Sequence, residues 1–360
     1  MVEKVIEFSA RNRLLVLLLT GVALLGALWA IRHIPLDAIP DLSDTQVIVY
    51  SRWDRSPDIL EDQITYPIVS ALLGTPRVKA IRGFSDFGYS YVYVIFQDGT
   101  DPYWARSRVL EYLSKILPRL PPGVQTELGP DATGVGWVYQ YALVDRSGTH
   151  DLAELRSLQD WYLRYHLQAV PGVAEVAAVG GFVKQYQVSA DPNRLLAYNV
   201  PLTKLVDAIR QGNGEVGGRL IEFAGTEYMV RGRGYVHSVD DIEQIVVASD
   251  PASGTPILVK NLATVTFGPD IRRGVADLDG LGDTVGGIVV MRHGENALRV
   301  IDRVKQTLEE LRPTLPAGVE VVTTYDRSDL IRRAIDTLLH ALGEEMLIVS
   351  AVILLFLWHV

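Results

Sequence analysis

One stretch has the spacing of a phosphate cradle: Gly212-Asn-Gly214-Glu-Val-Gly217 follows G-x-G-x-x-G. Such glycines admit a pyrophosphate only when a strand precedes them and a helix follows. Here a helical pattern precedes and strand-like residues follow, so a dinucleotide site is excluded. The seven histidines, from His33 to His359, contain no H-x-x-x-H pair. They read as surface or packing residues rather than metal ligands. No G-x-S-x-G elbow, P-loop or zincin helix occurs. Four methionines (Met1, Met229, Met291 and Met346) could offer thioether sulfur to soft metal ions, but they are widely scattered and packing roles are expected.

The carboxylates form no telling pair. Asp37, Asp41 and Asp44 read as a solvated turn, and Asp326 and Asp329 as another. Cysteine is absent, which removes disulfides and thiolate metal sites. The net charge of −9 comes without a basic stripe, which argues against a nucleic-acid partner.

The elements that must hold these residues begin with two apolar runs. Residues 14–31, LLVLLLTGVALLGALWAI, are uncharged and long enough to cross a bilayer as a helix. The run exceeds a signal h-region and Ala27-Leu-Trp-Ala30 is a poor cleavage site, so an uncleaved anchor is expected. Arg11 and Arg13 abut it, placing the N-terminus in the cytoplasm. A second run starts at Met346 and is still apolar at Val360, so the chain reads as the front end of a longer polytopic protein. Neither run holds an internal acid or base, apart from His359 at its edge, so the carboxylates that mark a proton relay are not in these two runs.

Between the runs the pattern predicts β-α-β-β-α-β twice. QVIVY from Gln46 reads as a strand, and Ser56-Pro57-Asp58 as a helix start. Leu60, Ile64, Ile68 and Leu72 share a helical face, with Pro67 a possible kink. VKAIRGFS and YSYVYVIF are strands, and Asp101-Pro102 starts a helix with Leu110, Leu113 and Leu117 on one face. Gly123–Leu128 closes the first unit. The second runs through Trp137–Val144, a capping-box helix from Asp151 and Glu154, Val173–Val179, Gly286–Met291, a helix with Ile301, Val304, Leu308 and Leu311, and Val319–Thr324. Short strings repeat at equivalent places: Pro76-Arg-Val78 with Pro171-Gly-Val173, and Leu120-Pro-Pro-Gly-Val124 with Leu315-Pro-Ala-Gly-Val319. An insert near residues 182–270 interrupts the second unit.

Several strings together resemble the resistance–nodulation–division (RND) efflux pumps of the heavy-metal class, most nearly their CusA-type copper/silver branch. They are Pro35-Leu-Asp-Ala-Ile-Pro-Asp-Leu-Ser-Asp44, Arg82-Gly-Phe-Ser85, Asp98-Gly-Thr-Asp-Pro-Tyr-Trp-Ala-Arg-Ser-Arg108, Gly129-Pro-Asp-Ala-Thr-Gly-Val-Gly-Trp137, Tyr141-Ala-Leu-Val-Asp-Arg-Ser147, Leu155-Arg-Ser-Leu-Gln-Asp-Trp161 and Thr324-Tyr-Asp-Arg-Ser328. The resemblance implies an α+β membrane protein: a transmembrane helix, two ferredoxin-like βαββαβ porter subdomains, the second interrupted by a docking subdomain, and the start of a second transmembrane helix. The expected boundaries are 1–13 cytoplasmic, 14–32 first span, 33–131 first porter subdomain, 132–181 with 271–327 second porter subdomain, 182–270 docking insert, 328–341 return connection and 342–360 second span. Gln211–Tyr235 would be a hairpin reaching a neighbouring subunit.

The same resemblance implies a proton-driven exporter in the bacterial inner membrane, with a large periplasmic domain. It would act as a homotrimer with a periplasmic membrane-fusion adaptor and an outer-membrane channel. Cu(I) or Ag(I) would be the cargo and no tightly bound cofactor is expected. Metal-site and proton-relay residues would lie outside these 360 residues; Arg82 is the one substrate-pathway candidate, matching a cleft arginine of the family. The alternatives are Zn/Co/Cd export, a membrane-tethered periplasmic binding or assembly module that does not transport, and an anchored enzyme, for which no nucleophile or base set is present.

Overall fold

The computed structural model describes residues 2–33, 37, 39–251, 253–272 and 274–356. Pro35, the last four residues of the second apolar run, and His359 with them, lie outside the described residues. A short helix, Val2–Arg11, precedes the long apolar helix Arg13–His33. Two helices among the described residues, this one and Arg327–Phe356, are long and apolar enough to cross a membrane. The second runs unbroken through residues 328–341, expected as the return connection. Nothing in Arg327–Gly343 breaks a helix, so its polar first half simply extends the apolar second half.

Strands β1 (Gln46–Arg52), β2 (Val78–Asp86), β3 (Tyr89–Phe96) and β4 (Gln125–Leu128) form an antiparallel sheet in the order β2-β3-β1-β4. Alternation decides its faces. Val47, Val49, Val92, Val94 and Phe96 point to the helices and are buried. Leu60, Ile64, Ile68 and Leu72 meet them from one helix, each fully buried. Burial of each such side chain contributes about 1.5–3 kcal/mol. Lacking an N–H and crowding the carbonyl of residue 63, Pro67 follows a widened π turn at Glu61–Thr65. On helix Pro102–Ile116 the buried stripe is Ala105, Val109 and Leu113. Leu110 and Leu117 stay exposed, contrary to expectation. Both stripes pass through Leu113, and the stripe that packs is the one whose small Ala105 lets the helix lie close to the sheet.

Strands β5 (Trp137–Asp145), β6 (Val173–Gly180), β7 (Lys184–Ala190), β8 (Val216–Phe223), β9 (Thr226–Gly232), β10 (Val246–Ser249), β11 (Pro256–Leu258), β12 (Ala263–Pro269), β13 (Val285–Met291) and β14 (Val319–Asp326) follow. A second four-stranded sheet runs β14-β5-β13-β6, the same order as the first when read from its other edge. Its helix Ala297–Leu311 has the same length as Pro102–Ile116 and buries Val300, Ile301, Val304, Leu308 and Leu311. The repeated corners match in conformation: Arg77 and Gly172 both have left-handed φ, at 61° and 94°, as do Gly123 and Gly318, at 87° and 88°.

His150–Leu158 and Gly180–Asp283 form a separate compact unit. It pairs β7 with β12 and β10 with β11 around Leu205, Ile242, Val259, Leu262 and Val265. Strands β8 and β9 make a hairpin whose every residue is exposed. Ala224 and Gly225, both at positive φ, supply its two-residue turn.

Candidate substrate-pathway surface

Arg82 lies on β2 opposite Tyr93 of β3, on the sheet face that the helices leave open. The same alternation that buries Val92 and Val94 sets Tyr89, Tyr91 and Tyr93 on this face. Tyr89 and Tyr91 stack with centroids 5.9 Å apart, and Phe84 lies 6.3 Å from Tyr91. Gln46, Arg82, Gly83, Phe84, Tyr93 and Ile95 line a shallow groove of about 540 Å³. Among the described residues no carboxylate lines it, and its charge there is the Arg82 guanidinium. Such a surface attracts anionic or π-rich groups. Beside a route for metal cations, it would need an acidic wall supplied from elsewhere.

Among the described residues no cluster of three or more His, Asp or Glu side chains could hold a metal ion. Met291 is buried in β13 and Met229 is exposed on the hairpin. The glycine-rich stretch lies between helix Leu202–Gly212 and β8, the reverse of a nucleotide loop.

The carboxylates differ most from expectation. Asp37, Asp41 and Asp44 are exposed, as a solvated segment would be, but each also meets a separate partner. Asp37 accepts a 3.0 Å hydrogen bond from Arg327, whose other terminal nitrogen donates to the Trp137 carbonyl at 2.9 Å. Asp41 Oδ2 lies 4.0 Å from His293, and Asp44 lies 3.2 Å from Lys79. Burial raises the Asp41 pKa, but hydrogen bonds with Thr133 and Ser43 and the His293 ring outweigh it and leave it below its ordinary value. Asp326 pairs with Lys305, which also donates to Ser328 at 3.0 Å. Burial again raises the Asp326 pKa, and Lys305 and Ser328 more than offset it, leaving it lowered.

A family model described as AcrB/AcrD/AcrF matches residues 5–360. The chain belongs to the AcrB/AcrD/AcrF family. It is 54% identical to the cation efflux system protein CusA of Escherichia coli (strain K12) over 361 residues, covering all of this chain and 34% of that protein. It is 52% identical to the putative cation efflux system protein SilA of Salmonella typhimurium, again over all of this chain and 34% of the relative. The cobalt-zinc-cadmium resistance protein CzcA of Cupriavidus metallidurans is 38% identical over all of the chain and 34% of its own length. A crystal structure of a heavy metal efflux pump superposes with a TM-score of 0.87 at 34% identity, covering 97% of this chain and 35% of that one. The chain thus spans about a third of the length of the curated relatives it matches.

Within this AcrB/AcrD/AcrF chain, three strings that carry the heavy-metal RND resemblance meet in space. Asp37 and Asp41 come from the first, Asp131, Thr133 and Trp137 from Gly129–Trp137, and Asp326, Arg327 and Ser328 from Thr324–Ser328. Charged residues inside otherwise loop-like strings were the available signal for this cluster. Their partners lie up to 290 positions away, beyond any local pattern.

Proposed function

We propose that this chain forms part of a proton-driven exporter of heavy-metal cations, with Cu(I) or Ag(I) as cargo. The observation that carries the reading is the 54% identity to CusA over the whole chain, against 38% to CzcA. Residues 33–131 and 132–181 with 271–327 are the two porter subdomains of this reading. The strand orders β2-β3-β1-β4 and β6-β13-β5-β14 support a ferredoxin-like fold for each. Residues 182–270 serve as the docking subdomain. The hairpin's exposed Leu220, Ile221, Phe223, Tyr228 and Met229 suit it to insertion into a neighbouring copy of a trimer.

In this reading the helices Arg13–His33 and Arg327–Phe356 cross the bacterial inner membrane and the sheets stand in the periplasm. A periplasmic adaptor and an outer-membrane channel complete the route. Arg82 lines the substrate path on the open face of the first sheet, and the acidic groups opposite it come from other parts of the assembly. Neither helix carries a relay carboxylate in its apolar stretch, so proton entry is assigned to other spans.

The 38% relative named for cobalt, zinc and cadmium favours a second reading, export of those harder cations. Deleting the gene from its host and scoring tolerance to each metal separates them. Sensitivity to copper and silver supports the first reading, and sensitivity only to zinc, cobalt or cadmium the second. Unchanged tolerance to all five would leave a non-transporting assembly module.

A further inference from the structure

Arg327 is 4% exposed and joins three elements that are distant in sequence. It begins helix Arg327–Phe356, holds the carbonyl of Trp137 where β5 starts, and holds Asp37, four residues past helix Arg13–His33. The connection leaving the first apolar helix leads into β1 of the first sheet. Its first anchors nevertheless belong to the second sheet: Asp37 to Arg327, then Asp41 beside His293 just beyond β13. Among the described residues of this connection, Asp44 and Thr45 are the ones bonded to the first unit, through the half-exposed Lys79 and the Thr100 carbonyl.

The other connection crosses in the same way. Gly129 donates to Ile48 of β1 and accepts from Arg106, both in the first unit. Two residues later the Asp131 carbonyl accepts from His293, and Gly136 pairs with Met291 of β13. Asp131 keeps one long contact back, 3.5 Å from the Tyr103 hydroxyl. The two connections therefore change sides over residues 41–45 and 129–131.

Arg327 is buried while Asp37 is partly exposed, so opening the pair would strand the guanidinium charge without its counter-ion. We propose that Asp37–Arg327 is a permanent joint, which groups the exit of the first apolar helix with the second sheet and the second apolar helix as one moving body. Flexing against the first sheet then falls at the two crossings, and Arg327 acts as a positioning residue for transport. The joint's consequence for export rests on the efflux reading; its permanence does not.

These 360 residues hold no cysteine, and any cysteine elsewhere in the host's protein is first replaced with serine. D37C/R327C is introduced into the protein as its host produces it, and bridged in membranes with a short bismaleimide. Before bridging, silver or copper export should fall at least about tenfold, the scale on which a misplaced support acts, with the apparent KM unchanged. Bridging should go nearly to completion and restore export, while a monofunctional maleimide should not. Bridged protein that is inserted and folded yet fails to export would overturn the joint, because the contact would then have to open. Poor bridging would overturn it too. If the pair folds badly, D37R/R327D serves instead: recovery relative to the two single variants supports the joint, and no recovery refutes it. Should the wild type export no metal, the efflux reading fails, and the bridging yield alone judges whether the contact is permanent.

Discussion

Asp101 and Asn296 cap the two long helices of the paired sheets in the same way. Each side chain accepts the backbone N–H of the third residue onward, Trp104 at 2.8 Å and Arg299 at 3.0 Å, and each opens a helix of 15 residues. The equivalence extends to the left-handed corners at Gly123 and Gly318. Two copies of one supersecondary unit explain this better than coincidence, since caps and corners are set by backbone geometry rather than by composition.

Replacing either cap with alanine should therefore cost the same. D101A and N296A are each expected to lower stability by about 1 kcal/mol, the usual worth of such a cap. Denaturant titration of the purified protein in detergent reads the loss. A cap that proved silent in one copy would separate the two units energetically.

Tyr141 and Gln159 form a buried pair at the centre of the second unit. The phenol donates to the Gln159 side-chain oxygen at 2.8 Å, and the amide nitrogen has no hydrogen-bond partner among the described residues. Y141F should destabilise by about 1–3 kcal/mol by stripping the remaining bond from a buried amide. Y141F/Q159L should recover much of it, because no polar group is then left unmatched. Thermal melting of the three variants gives the coupling.

The lowered pKa of Asp326 gives an acid limb to stability. Its carboxylate binds a proton more weakly in the folded protein than in the unfolded chain, so its contribution is fully present above the ordinary value of 3.8. It is lost as pH falls through the lower folded value. D326N should be less stable than wild type at neutral pH and should approach it as pH drops below about 3.8. Parallel melts from pH 7 to pH 3 would show the curves converging.

Arg82 carries the pathway proposal. R82A should lower the metal resistance conferred in the host, whereas R82K, which keeps the charge, should retain more of it. The growth-inhibiting concentration of silver or copper is the readout. Unaltered resistance in R82A would return this residue to an ordinary surface role.

The heptad-free, period-two and period-3.6 patterns were enough to place nearly every strand and helix of the two sheets. Leu60, Ile64, Ile68 and Leu72 pack as their spacing indicated because each stripe position faces a pleat row. On the Pro102–Ile116 helix the pattern offered two stripes through Leu113, and only packing against the sheet selected between them. The continuity of Arg327–Phe356 carried no local mark, because the charged residues of its first half do not stop a helix.

Local chemistry was thus sufficient for the apolar helices and the repeated strand order, while the family was legible through resemblance of whole strings. It was insufficient for Asp37, Asp41 and Asp326. An aspartate beside prolines and serines reads as a turn from its neighbours alone. Whether it meets water or a guanidinium depends on which distant strand lies against it. The tertiary fold made that choice by bringing Arg327 against Asp37 and Lys305 against Asp326, and charge pairing at such separations leaves no periodic trace in a sequence.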